Sequence, residues 1–152
     1  MIRTVLILAA IYIIYRVTKK GYDMTQDQTD IMARTLYGEA RGEGERGMQA
    51  VANVIMNRVK AASWYGASVK DVCLKPYQFS CWNSNDPNRA IILSATDAQL
   101  KTARKVAEQA INGTLKDITG GATHYYADSI AAPYWAASMT QTAKIGHHIF
   151  FA

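Results

Sequence analysis

The strongest constraint on this chain is an apolar face that recurs at helical spacing and stops at a pair of glycines. Ile31, Met32, Thr35, Leu36 and Ala40 recur at three- and four-residue steps. That spacing puts them on one stripe of an α-helix and makes the helix a wall of the core. Gly42 and Gly44 follow, and glycine readily takes the left-handed conformation that ends a helix. Glu39 therefore falls in the last turn, where the free carbonyls carry partial negative charge. That field disfavours a carboxylate and favours the proton a general acid must hold. The same pattern also fits a solvated Glu at a helix end, and local sequence leaves both readings open.

The rest of the chain builds around that helix. Asp23 and Thr25 are candidate N-caps for it. A second helix is expected over residues 45–59, with Met48, Val51, Ala52, Ile55 and Val59 as its buried stripe. Asn53, Asn57 and Arg58 interrupt its polar side as candidate supports for a site. Residues 61–88 read as a loop broken by Gly66, Pro76 and Pro87. Thr96 to Gln99 has the pattern of a capping box and opens a third helix ended by Gly113. Gly120-Gly121 turns the chain into a strand at His124-Tyr125-Tyr126, and residues 144–151 read as one closing strand. The fold class is α+β, mainly helical with a small antiparallel β element.

At 152 residues, 49% apolar and 19% charged, the chain is one ordinary globular domain with no sign of disorder. Its net charge of +5 implies an anionic partner. Nucleic acid is favoured by charge alone: no basic run is longer than Lys19-Lys20, and no nucleic-acid-binding motif is present.

Residues 1–20 stand apart. Residues 5–15 are uninterrupted apolar or aromatic, flanked by Arg3 and by Arg16, Lys19 and Lys20. The run is short for a full span and has no small-residue cleavage site after it. A short uncleaved anchor and an amphipathic or buried helix of the domain are the two readings. The expected division is therefore a hydrophobic anchor-like segment over residues 1–20 and a domain over residues 21–152. Positive charge is heavier after the run, an orientation that holds the domain in the cytoplasm.

His124, His147, His148, Cys73 and Cys81 show no CxxC, HExxH or His pair three or four apart, so no metal and no cofactor is expected. Outside the cytoplasm a Cys73–Cys81 disulfide is plausible, and inside it two free buried thiols are expected. In the loop, Gln78, Phe79, Trp82 and Asn83 mix amide groups with flat apolar faces. Sugar binding uses that mixture, and so does a core that pins a long loop.

The run Arg34-Thr35-Leu36-Tyr37-Gly38-Glu39-Ala40-Arg41-Gly42-Glu43 resembles the signature of the SleB-type cell-wall hydrolases, the spore-cortex-lytic enzymes. Three further blocks fit in the family's order. They are the helix from Gln49 to Val59, the loop Tyr77-Gln78-Phe79-Ser80-Cys81-Trp82-Asn83, and Gly121 to Tyr126 with Ile145 to Phe150. Together they cover nearly all of the chain after residue 28.

The resemblance implies a lysozyme-like or lytic-transglycosylase-like fold and a peptidoglycan substrate, whose carboxylates and anionic polymers suit a basic chain. It further implies a lytic transglycosylase in which Glu39 serves as acid and then as base. Gln78, Tyr125 and Tyr126 would position the sugar, with Phe79, Trp82 and Trp135 as further substrate contacts. Hydrolysis at the same site, by a muramidase or glucosaminidase, is the near alternative. A non-catalytic wall-binding or virion subunit is the more distant one.

Glu43, four residues after Glu39, would share its helix face and so makes a poor opposing carboxylate. Asp128 is the other acidic candidate. The amino-terminal segment resembles the signal-anchor-release segment of some phage endolysins. On that reading the protein is a monomer, tethered to the inner membrane and later periplasmic, or held in the cytoplasm until lysis.

Overall fold

The computed structural model describes the backbone of residues 2–152 and the side chains of residues 7–21 and 24–152. The first element is a single helix, α1, running from Ile2 to Ala40. At 39 residues it is about 58 Å long, and no break separates the expected anchor segment from the first domain helix. The expected caps are therefore corrected. Thr25 lies inside the helix and donates its hydroxyl back to the Gly21 carbonyl at 3.0 Å; Asp23 is also within the helix, and its side chain lies outside the described residues. Residues 7–21 are exposed, and packing begins near Thr29.

A 3-10 turn, Arg41–Glu43, joins α1 to α2, Gly44–Ala61. α2 is the central element. Met48, Val51, Ala52 and Ile55 face α1 and α5 in the main core with Met32, Leu36, Val106 and Ala107. Ala50 and Val54 face the sheet in a second cluster with Ala122, Ile145 and Phe150. Burial on two sides explains why the apolar residues fill more of α2 than one stripe; Val59, expected in that stripe, is only half-buried.

The expected loop contains more structure than its composition announces. Ser68 caps a six-residue helix α3, Val69–Leu74, by accepting from the Asp71 N–H. A 3-10 turn covers Ser80–Trp82, and α4 spans Asn88–Ser94. Each is too short to show a helical period. The α5 helix, Asp97–Ile111, starts at the expected capping box of Thr96 and Gln99.

The sheet holds β1, His124–Ala127, β2, Gln141–Ile145, and β3, His148–Phe151, in the order β1-β3-β2, all antiparallel. The single closing strand expected at residues 144–151 is instead a hairpin turned at Gly146-His147. Gly146 has a φ of +56° there, a conformation that L side chains with a Cβ rarely adopt. The fold is thus mainly helical with a small antiparallel sheet, as expected from the sequence.

Candidate active site

The site lies where the end of α1 meets β1 and the Ser80–Trp82 turn. Glu39 Oε2 accepts from the Tyr125 hydroxyl at 2.8 Å, and Oε1 accepts from the Cys81 backbone N–H at 3.3 Å. Burial first, and the Glu39 carboxylate second, raise the Tyr125 pKa well above its ordinary value, so the phenol keeps its proton and acts as donor. The N–H contact depends on Gly38. A Cβ at that position would lie 2.6 Å from Cys81 Cβ, so only glycine lets the turn approach α1 this closely.

Polar residues of α2 place β1. Asn53 Oδ1 accepts from the Ile118 N–H, and Asn57 donates to the Ala122 carbonyl at 3.0 Å. The Nε of Arg58 donates to the Thr123 carbonyl at 2.8 Å. Positions 57 and 58 lie about one helical turn beyond 53, so the three clamp the lead-in to β1 and set Tyr125 against Glu39. Arg58 also donates through Nη1 to Gln78 Oε1 at 3.2 Å.

Strand alternation sorts the remaining candidates. Tyr125, His148 and Phe150 share the face toward α2, with Tyr125 and His148 edge to face at 5.0 Å between centroids. Tyr126 is on the opposite face, stacked on Phe151 and against Trp135. Of the two tyrosines expected to serve the sugar, the structure brings Tyr125 to Glu39 and places Tyr126 beside Trp135. Phe79 does not line either of the clefts beside Trp82 and Tyr125. It is 1% exposed and lies under the Arg58 guanidinium, so it offers a sugar no face. Trp82 is half-buried and donates Nε1–H to Thr35 Oγ1 at 2.9 Å, while its edge borders a cleft with Tyr77 and Asn83.

Gln78, Tyr125 and Trp135 line a second cleft, of about 490 Å³, with Arg58, Trp64, Tyr77, His124 and Tyr134. Tyr77, Tyr134 and Trp64 were not singled out from sequence. Tyr77 is 87% exposed at a φ of +65° and borders both clefts, and Tyr134 is 94% exposed. The loop setting of Pro76-Tyr77 and Pro133-Tyr134 was the available signal, because exposed aromatics in loops seldom serve a core.

The other carboxylates are engaged elsewhere. Glu43 Oε2 accepts from the His147 N–H at 3.0 Å and packs against Gly146, where a Cβ would meet it at 1.8 Å. Asp128 pairs with Lys144 at 2.8 Å and with His147 at 3.3 Å. Among the described residues no group of three or more His, Cys, Asp or Glu is placed to hold a metal ion. Cys73 and Cys81 are free and buried rather than bridged, and burial pushes the Cys73 thiol up to about 12 and the Cys81 thiol higher still.

The comparisons with known proteins agree with this geometry. Residues 42–151 match the model of the Cell Wall Hydrolase family. This chain belongs to that family. It is 36% identical over 135 residues to a spore cortex-lytic enzyme of Bacillus cereus, covering 86% of this chain and 45% of that protein. The identity to a spore cortex-lytic enzyme of Bacillus subtilis is 32% over 125 residues, covering 79% of this chain and 36% of the relative.

The chain thus spans less than half the length of these curated relatives. Its fold matches the catalytic domain of the Bacillus cereus SleB protein with a TM-score of 0.64 at 36% identity, covering 84% of this chain and 91% of that one. The catalytic domain of the germination-specific lytic transglycosylase SleB from Bacillus anthracis gives a TM-score of 0.63, again at 36% identity, with 84% and 95% covered.

Proposed function

We propose that this cell wall hydrolase cleaves the glycan strand of peptidoglycan as a lytic transglycosylase, with Glu39 as its single acid and base. The observation that carries the reading is the placement of one carboxylate. Glu39 sits between the Tyr125 hydroxyl and the Cys81 N–H, beside the aromatic cleft that Tyr125 lines, while Glu43 and Asp128 are committed to the β2–β3 turn and its neighbours. The name of the solved relative from Bacillus anthracis supports the reaction class.

In the proposed reaction Glu39 gives its proton to the oxygen between N-acetylmuramic acid and N-acetylglucosamine as the bond from the muramic C1 breaks. The resulting carboxylate then takes the proton of the muramic 6-hydroxyl while O6 bonds to C1. The product is a 1,6-anhydro end, and Glu39 returns to its protonated form with no water consumed. Tyr125 orients the carboxylate, Gln78 and Trp135 contact the sugar in the cleft, and Trp82 borders the adjoining cleft.

The outer half of α1 suggests where the chain works. Ile7, Leu8, Ile11, Tyr12, Ile13, Ile14, Tyr15 and Val17 are all exposed, on every side of the helix, and Arg16, Lys19 and Lys20 follow or interrupt them. Among the described residues no helix is long and apolar enough to cross a membrane. We infer an interfacial tether on the inner membrane, acting in a monomeric phage-type endolysin before its release to the wall.

Mass spectrometry of peptidoglycan digested by the full chain, with Glu39→Gln as control, tests the reaction. Muropeptides ending in 1,6-anhydro-muramic acid, absent from the control, are expected. Reducing ends, heavier by one water, would assign hydrolysis instead, and uncut strands would remove the enzymatic reading.

A further inference from the structure

The cleft beside Glu39 contains a cation whose pairing is incomplete. Arg58 is only 6% exposed, and its guanidinium centre lies 5.2 Å from the ring centroids of both Tyr65 and Phe79. Nε is used by Thr123 and Nη1 by Gln78, but no carboxylate forms an ion pair with Arg58 among the described residues. Its Nη2 donates to no protein acceptor among the described residues, yet it is not sealed in. Among the described residues the one sealed side-chain nitrogen or oxygen without a partner is Nδ1 of His148. Nη2 therefore keeps accessible surface, and Arg58 is one of the residues that line the cleft.

Gln78 adds a second donor. Its Oε1 accepts from Arg58, which turns its Nε2 amide the other way, and among the described residues that amide makes no bond to protein. The cleft wall includes no Asp or Glu. Two free donors, one of them charged, complement a group that only accepts, and a carboxylate is that group. Burial works against the Arg58 charge and nearby groups, Glu39 among them, partly offset it from beyond ion-pair distance, so an anion that arrives with its own hydrogen-bonding oxygens adds a direct partner.

We propose that Arg58 and Gln78 form a subsite for a carboxylate carried on a sugar ring, the lactyl carboxylate of a muramic acid that bears no peptide. Trp64, Tyr77, Tyr134 and Trp135 wall the ring that carries it. Because Tyr125 lines the same cleft and bonds Glu39, the recognised ring is the one next to the acid. The subsite rests on the glycan-cleavage reading and adds a preference to it. Strands stripped of peptide are favoured over strands whose lactyl groups are amidated, and over chitin oligomers, which have no lactyl group.

Calorimetric titration of the full-length Glu39→Gln chain separates the two ideas. The ligands are glycan oligomers with free lactyl carboxylates, the same oligomers with those groups converted to primary amides, and chitooligosaccharides of equal length. The free-carboxylate form is expected to bind about tenfold tighter than the amide, the difference a hydrogen-bonded charge makes, and the gap is expected to narrow in high salt.

Adding Gln78→Glu, which turns a donor into an acceptor beside Arg58 at unchanged size, is expected to bring the carboxylate form down to the amide's level. Equal binding of carboxylate and amide forms by the Gln78 protein overturns the subsite and leaves glycan cleavage standing. Retention of the full preference in the folded Gln78→Glu protein also overturns it. Binding of none of the three ligands overturns the subsite together with the reading it rests on.

Discussion

The Tyr125 hydroxyl donates to Glu39 Oε2 at 2.8 Å across a sequence separation of 86 residues. That contact ties the last turn of α1 to the first strand of the sheet, and with it the acid to the cleft. Tyr125→Phe keeps the ring against His148 and Phe150 and removes only the donor. We expect the rate of strand cleavage to fall about 10- to 100-fold, the range for a hydrogen bond to a charged group, with the thermal midpoint little changed. Turbidity loss of purified sacculi and a circular-dichroism melt measure the two. An unchanged rate would show that Glu39 needs no orientation from Tyr125.

Gly38→Ala tests the close approach on the other side of the carboxylate. The new methyl would lie 2.6 Å from Cys81 Cβ and 2.9 Å from its sulfur, so the Ser80–Trp82 turn must retreat and take its N–H from Glu39. A loss of about 1–3 kcal/mol is expected, as for overpacked cores, together with reduced cleavage. Urea denaturation and turnover on the same preparation check both. Loss of stability with full activity would mean that the Cys81 N–H does not matter to the acid.

Acidification should weaken the fold through two histidines. His148 is 9% exposed with an unpartnered Nδ1, and burial lowers its pKa despite Glu43, Glu39 and Asp128 nearby. His124 is lowered by burial and by Arg58. In the unfolded chain both titrate near pH ~6.5, so on acidification the unfolded state takes up protons first. Stability is therefore complete above about pH 6.5 and declines as the pH drops through the lowered folded values. Asp30, Asp86, Asp117 and Asp128 are held below the usual carboxylate range and matter only below about pH 4. Urea midpoints across that interval should fall toward acid, and His148→Phe should flatten the trend. A flat profile in the parent protein would rule out the histidines as its cause.

Removal of residues 1–20 should leave the catalytic part intact, because residues 7–21 are exposed and outside the core clusters. The expected result is an unchanged thermal midpoint and unchanged cleavage of soluble glycan fragments, with loss of co-sedimentation with anionic lipid vesicles. A large fall in the midpoint would show that the outer helix supports the core.

Neither thiol should react in the folded protein. Cys73 and Cys81 are buried, and burial keeps both protonated well above neutral pH, so the nucleophilic thiolate is scarce and inaccessible. A disulfide-exchange reagent should label both only after denaturation. Rapid labelling of the native chain would contradict the packing around the Ser80–Trp82 turn.

Much of this architecture was legible because its signals are local. The stripe Ile31, Met32, Leu36 and Ala40, the capping box of Thr96 and Gln99, and the strand at His124-Tyr125-Tyr126 each follow from a period, a cap or a turn signal within a few residues. Short helices such as Val69–Leu74 carry no such period. The continuity of α1 through Gly21 was hidden because an isolated glycine is tolerated inside a helix, and so marks no boundary by itself. The hairpin at Gly146-His147 was missed because its strands are too short for alternation to show where one ends.

By itself the sequence determined that Glu39 ends a helix with a buried face, that a mainly helical α+β fold surrounds it, and that the chain carries the blocks of a cell wall hydrolase. Only the tertiary structure decided which neighbours serve that carboxylate. Tyr125 and Tyr126 are adjacent in sequence, yet the pleat sends one to Glu39 and the other to Phe151 and Trp135. Phe79 and Gln78 are adjacent as well, and packing buries the first beneath Arg58 while leaving the second at the cleft. The physical reason is the same in both pairs: a residue type sets what a side chain can do, but the direction of the backbone where elements meet sets what it touches.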